Sequence, residues 1–302
     1  MGANPLEIKL FGKTLKNPII AASGTFGFGD CFNASFDPHV LGAICSKGLT
    51  LYGSSGNGGT RLQETPSGLL NSIGLENPGI ESFVAHEYAI MRQCNDFVVV
   101  NLGGHCESDY VEGAKLLNEV DIDALELNIS CPNVKNGGMA YGISPNDAAY
   151  ITKAIKKVSR HPLIVKLSPN APDVSAVAAA CQDSGADAVS LVNTYLGMAV
   201  DIYKRKPVFE RIYAGLSGPA IMPMALRLVH ETAKRVSIPV IGLGGISSFE
   251  DAVAFMMVGA DAVQIGTAIF ADPTSIPKII DNLNNFCAAQ GLKNISEIKG
   301  II

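Results

Sequence analysis

The chain carries little charge, and none of it in blocks. Only 17% of its 302 residues are charged against 47% hydrophobic, and the net charge of −5 comes with no basic run. Nucleic acid is therefore not the expected partner. Cysteine occurs at positions 31, 45, 94, 106, 131, 181 and 287, but never as C-x-x-C. An odd, scattered set speaks against a disulfide framework, a zinc site or an iron–sulphur cluster held by this chain, and suits a reducing cytosol. His39, His86, His105, His161 and His230 have no metal-ligand partner at helical or strand spacing. All five are expected on the surface or in loops, with His105 and Cys106 the pair best placed to approach a site. No uninterrupted apolar stretch could span a bilayer, and the first residues show neither a signal peptide nor an amphipathic extension, so a cytoplasmic protein is expected. A dinucleotide fingerprint is also missing: the glycines at 242–246 have the wrong spacing and follow a late strand. There is no linker or low-complexity tract, so residues 1–302 read as one domain.

What is present is a repeated grammar. After a hairpin at 6–15, turning at Gly12-Lys13, eight apolar runs follow, at 18–24, 43–50, 97–104, 125–131, 163–168, 188–194, 240–246 and 262–267. Each begins apolar and ends in Gly, Ser, Asn, Lys or Thr. Helical patterns fall between most of them, at 109–119, 144–159, 171–184, 220–235 and 248–257, with Asp173 as a first-turn acid and Ser247 or Ser248 as a cap. Apolar strands separated by helices predict a parallel sheet covered on both faces, and eight of them predict a (β/α)₈ barrel. In that fold the C-terminal strand ends carry the chemistry, and here the polar residues cluster at those ends. Two long connections, 52–78 and 195–219, leave the same face and are expected to build a site there.

Chemistry gathers around the stretch 124–138. Leu125, Leu127 and Ile129 predict a strand, Pro132 cannot continue it, and the strand should stop at Ser130. Cys131 then stands between Asn128 and Asn133, a thiol amid amides that suits proton transfer on a polar, planar ligand; a buried structural cysteine is the plainer alternative. Lys47 and Lys166 lie at strand ends, where a cation should face an anion or an electron-rich ring. Asn71, Asn101, Asn128, Asn133 and Asn193 are expected at the strand ends, in matched positions, where they offer paired donors and acceptors for a ring such as a pyrimidine. The glycines at 244, 245 and 266, with Gly218, predict a phosphate site of the kind barrels build after their seventh and eighth strands. The phosphate could belong to a substrate or to a cofactor such as FMN.

These residues together resemble the dihydroorotate dehydrogenase family over nearly the whole length. The most specific element is Asn128-Ile-Ser-Cys-Pro-Asn133, supported by Lys47-Gly-Leu-Thr50, Asn71-Ser-Ile-Gly-Leu75, Lys166, Asn193-Thr194 and Gly244-Gly245. The continuation to Gly138 is similar to class 1B catalytic subunits, which pair with a subunit carrying FAD and a [2Fe–2S] cluster. Membrane-bound class 2 members use a serine base where this chain has Cys131.

The resemblance implies FMN on the C-terminal face, contacted by Ser23, Lys47, Gly48, Asn101, Asn128, Lys166, Val192, Gly218, Gly244, Gly245, Gly266 and Thr267. It implies substrate contacts from Lys47, Asn71, Ser72, Ile73, Gly74, Leu75, Asn128, Asn193 and Thr194, to which Asn133 is added as a further amide. Cys131 would be the base that takes a proton from C5 of dihydroorotate while hydride leaves C6 for FMN. A free thiol is mostly protonated at neutral pH, so activity should rise with pH. With no cluster or dinucleotide motif in this chain, NAD⁺ is expected to be reached through the partner subunit, in a heterotetramer built on a homodimer. Alternatives are a fumarate-linked class 1A type, a relative acting on uracil-type rings, a flavin-free barrel isomerase or lyase, and a non-enzymatic scaffold.

Overall fold

The apolar runs are short and rich in Val, Ile and Leu, which favours strands over helices. The computed structural model describes residues 4–130 and 141–302. In it the runs form β1 (Ile19–Ala21), β2 (Ala43–Cys45), β3 (Val98–Leu102), β4 (Ala124–Asn128), β5 (Leu163–Lys166), β6 (Ala188–Leu191), β7 (Val240–Leu243) and β8 (Ala262–Ile265). Every neighbouring pair is parallel, and β8 pairs with β1, so the sheet closes into a barrel. The expected (β/α)₈ architecture is what forms.

Outside the barrel lie α1 (Tyr88–Cys94), α2 (Glu107–Leu117), α3 (Pro145–Lys156), α4 (Val174–Asp183), α5 (Met222–Ala233), α6 (Phe249–Met257) and α7 (Ser275–Gln290). Three of them, α3, α4 and α6, start at side chains that accept otherwise unpaired backbone N–H groups. Ser144 accepts from Asp147 N at 3.2 Å, and Ser248 forms a reciprocal box with Asp251. Asp173 is the cap of α4, accepting from Ala176 N at 2.8 Å, and not the first-turn acid expected. The strand expected to reach Ser130 ends at Asn128, because the Asn128 side chain accepts both the N–H and the hydroxyl of Ser130 and turns the chain. His230 sits half-buried within α5 and not on the surface or in a loop; its Nδ1 has no hydrogen-bond partner among the described residues.

The two long connections find each other. Leu62–Thr65 and Gly68–Asn71 from the first, and Tyr195–Met198 and Tyr213–Ser217 from the second, make one antiparallel sheet. The join pairs Gly215 with Asn71 and Leu216 with Leu70. At the opposite end, the hairpin of Ile8–Leu10 and Lys13–Leu15 closes the barrel floor. There Asp123, buried just ahead of β4, accepts from Val98 N at 2.8 Å and pairs with Lys13 at 2.5 Å and Arg92 at 2.7 Å. Among the described residues no helix is long and apolar enough to cross a membrane.

The N-terminal face of such a barrel carries stability and not chemistry. Asp123→Ala should therefore lower unfolding stability by about 2 kcal/mol, the usual scale for losing charge-assisted hydrogen bonds. Urea denaturation checks this, and substrate KM should stay unchanged.

Candidate active site

Side chains alternate along a strand. In β4, Leu125 and Leu127 therefore face one way and Glu126 and Asn128 the other. Glu126 touches residues of five other barrel strands, which only an inward-facing side chain can do. Asn101 Nδ2 donates to Oε1 at 2.7 Å and Lys166 Nζ at 3.1 Å. Gln264 Nε2 donates to Oε2 at 2.7 Å and Ser190 Oγ at 2.9 Å. The Cys45 thiol approaches Oε1 at 3.6 Å. Cys45, Glu126, Ser190 and Gln264 come from β2, β4, β6 and β8, the alternate-strand layering of this fold.

The charges in this layer are mutually determined. Burial pushes the Glu126 carboxyl up, but the Lys166 charge and the hydrogen bonds from Gln264, Asn101 and Ser190 outweigh it and hold the group below the ordinary carboxylate range. Burial, and next the Glu126 charge, pushes the Cys45 thiol well up, so it stays protonated. Lys166 is as buried as the core and also donates to Gln264 Oε1 at 3.3 Å.

Above this layer, at the C-terminal strand ends, lies a cavity of ≈ 470 Å³. Ser23, Lys47, Gly48, Asn128, Lys166, Val192, Gly218, Gly244, Gly245, Gly266 and Thr267 all line it. So do Asn71, Ser72, Ile73, Gly74, Leu75, Asn193 and Thr194. Two placements differ from expectation. Asn101 is wholly buried behind the cavity wall, and it meets the lining through Asn128, whose Nδ2 donates to its Oδ1 at 3.3 Å. Asn71 stands in the antiparallel sheet and not at a barrel strand end, so the asparagines do not occupy matched positions. Cys131 and Asn133 lie outside the described residues.

Gly48 stands in a tight place: a Cβ there would come within 3.0 Å of Asn101 Oδ1 and 3.1 Å of Leu75. Gly245, at φ +80°, packs so closely on the start of α5 that a Cβ would lie 2.8 Å from Met222 N. The end of β7 is thereby brought against the turn that leads into α5. Thr267 Oγ1 donates to Ser217 Oγ at 2.7 Å and ties the end of β8 to the antiparallel sheet. Lys47 Nζ is 4.0 Å from Glu76, whose carboxylate is held by Arg61 at 2.8 Å. Its charge is thus only loosely countered.

Sequence reasoning missed Glu126, Gln264 and Ser130. Glu126 did leave a signal: a lone carboxylate in an apolar strand, with a lysine at the end of the next one. Neither is stable buried alone, so each implies the other. Gln264 left none beyond being polar in an apolar run.

The family model for dihydroorotate dehydrogenase matches residues 5–287. The chain is 49% identical over 295 residues to the dihydroorotate dehydrogenase B (NAD(+)), catalytic subunit, of Thermoanaerobacter pseudethanolicus, covering 98% of each chain. It is 47% identical over 298 residues to the protein of that name from Bacteroides thetaiotaomicron, again covering 98% of each. The protein of that name from Petrotoga mobilis is 46% identical over 296 residues, 98% of this chain and 99% of its own.

The Lys166–Glu126 pair generates a pH-dependent prediction. With Glu126 held low in the folded chain, its contribution to stability is complete above the ordinary carboxylate range and is lost as pH falls through the lowered value. Lys166→Met removes the main lowering influence, so burial raises the folded value and the penalty grows as pH rises. The variant should lose about 3–5 kcal/mol at pH 7, the cost of an uncompensated buried charge, and less at pH 5. Urea unfolding at the two pH values measures the difference.

Proposed function

The chain belongs to the dihydroorotate dehydrogenase family, and on that premise we propose that it oxidises (S)-dihydroorotate to orotate in pyrimidine biosynthesis, with FMN at the C-terminal face of its barrel. One observation carries the reading. A single cavity gathers the Lys47 ammonium, the amides of Asn71, Asn128 and Asn193, and the glycine-lined ends of β7 and β8. The residues fit the cofactor. The volume is that of a cofactor pocket, and glycines at 218, 244, 245 and 266 in its lining leave backbone open to an anion. Gly218, Gly244, Gly245, Gly266 and Thr267 would hold the cofactor's phosphate, and Ser23, Lys47, Gly48, Asn128, Lys166 and Val192 the ring system. When bound, FMN supplies the hydride acceptor that side chains lack.

The chain's own residues do the rest. Lys47, loosely countered by Glu76, pairs with the substrate carboxylate. Asn71, Asn128, Asn193 and Thr194, with Ser72 to Leu75, orient the ring, and Asn133 adds a further amide. Lys166 provides a fixed positive charge where negative charge develops in the reaction. Cys131 is the general base that takes the proton from C5. A flavin-free isomerase would want a carboxylate free to move protons; Glu76, which lines the cavity, is paired with Arg61 at 2.8 Å, and Glu126 beneath it is fully occupied as an acceptor.

NAD⁺ is reached, on this reading, through a partner subunit carrying FAD and a [2Fe–2S] cluster, in a cytoplasmic heterotetramer built on a homodimer. The NAD(+)-linked, "catalytic subunit" names of the relatives support NAD⁺ over fumarate. The apolar side chains that residues 195–217 leave in solvent, Met198, Val200, Ile202 and Tyr203, suit a contact with another protein chain.

The test is an anaerobic visible spectrum of the purified chain before and after dihydroorotate. A flavin band that bleaches is the expected result; a protein that stays colourless after FMN is supplied sinks the reading. Cys131→Ala should slow bleaching by roughly 10²-fold or more, and the rate in the unaltered chain should climb with pH through the thiol range. The chain alone should reduce NAD⁺ more slowly than its complex; equal rates would remove the partner.

A further inference from the structure

We propose that Glu126 is a positioning residue for the substrate-facing asparagines: its carboxylate anchors a hydrogen-bond chain of one fixed direction that ends at Asn193. The proposal rests on the dihydroorotate reading and assigns part of its specificity to a residue that does not line the cavity.

A carboxylate can only accept. Asn101 must therefore turn its Nδ2 toward Glu126, which it does at 2.7 Å. That leaves Asn101 Oδ1 as an acceptor, and Asn128 Nδ2 donates to it at 3.3 Å. Asn128 Oδ1 then accepts, and the Ser130 hydroxyl donates to it at 2.7 Å. A hydroxyl has one hydrogen, so Ser130 Oγ can now only accept, and Asn193 Nδ2 donates to it. Four links in succession point toward Glu126. Two backbone N–H groups, which are donors in any arrangement, agree with this direction. Ser130 N donates to Asn128 Oδ1 at 3.3 Å, and Thr194 N donates to Asn193 Oδ1 at 2.8 Å. A flip of any amide would set oxygen against oxygen or hydrogen against hydrogen.

The direction has a chemical consequence in the cavity. Asn128 Oδ1 already receives two hydrogens, so toward a ligand Asn128 can only donate. Asn193 keeps one Nδ2 hydrogen uncommitted by the chain. Asn128 thus presents only a donor, and Asn193 a donor beside an Oδ1 that has received one hydrogen and can take one more, so the wall favours the carbonyl oxygens of a planar ring and keeps one acceptor for a ring N–H. Glu126 makes it so from below, through Asn101, and Ser130 is the link that spans β4 and the end of β6.

The experiment measures orotate affinity by titrating the flavin spectrum of the FMN-loaded protein, alongside dihydroorotate KM and kcat. Asn101→Ala removes the link at the carboxylate; Glu126→Gln would not, because Lys166 Nζ, which can only donate, holds the amide oxygen at the Oε1 position that Asn101 also uses. Ser130→Ala cuts the chain farther along and leaves the Lys166–Glu126 pair intact. Each should weaken orotate binding at least fivefold and raise KM more than it lowers kcat. Because both act through one chain, the double variant should lose less than the product of the two single losses. Should Asn101→Ala fail to fold into flavin-loaded protein, Asn101→Leu takes its place, since it removes the same link and fills the space. A loss under fivefold in either variant, or fully multiplicative losses, overturns the proposal and leaves local backbone donors to orient the asparagines. If unaltered protein does not bind orotate at all, it is the dihydroorotate reading that fails.

Discussion

An ionised carboxylate in the centre of a barrel is the constraint on which the rest of this molecule turns. Left alone, the Glu126 charge would cost several kcal/mol in lost hydration. It is tolerated because donors converge on it from β3, β5, β6 and β8, with the Cys45 thiol of β2 beside them. No single strand or hairpin could bring those groups together. The closed sheet is therefore a condition for the charge, and the charge in turn dictates which way each neighbouring amide faces.

The apolar driving force lies elsewhere. Leu125, Leu127, Val165 and Val189 are fully buried and belong to the core shared with the helices, as do Ile151, Val177 and Val229 on α3, α4 and α5. Hydrophobic burial closes the barrel from outside, which leaves its interior free to be polar. That division of labour is what allows a buried cation, Lys166, to reach the cavity floor without being free in it.

The upper part of the site is built by a second, non-local event. Residues 62–71 and 195–217 are separated by more than a hundred positions, yet they join as one antiparallel sheet through Asn71–Gly215 and Leu70–Leu216. Alone, the first reads as a loop rich in Gly, Ser and Asn, and the second as a loop with a basic patch at 204–206. Their pairing places Asn71 opposite the barrel's own asparagines and ties Ser217 to Thr267, so that cavity wall and roof form a continuous surface.

Much of this was legible in the chain itself. Strand periodicity, small residues at strand ends, and the caps Ser144 and Ser248 are local signals, since they depend on side-chain alternation and on N–H groups a few residues away. They determine eight strands, most of the helices and the face that bears the chemistry. The motif around Asn128, with Lys47, Lys166 and Gly244-Gly245, identifies the residue types a flavin and a pyrimidine would need. What the tertiary structure alone decided was direction and company. It put Asn101 behind the wall, Asn71 in the roof and Glu126 under both, because a hydrogen bond's polarity depends on the partner across the barrel. It also decided that two long connections should pair, because loop closure over such separations is favoured only once a finished barrel holds their ends at a fixed distance.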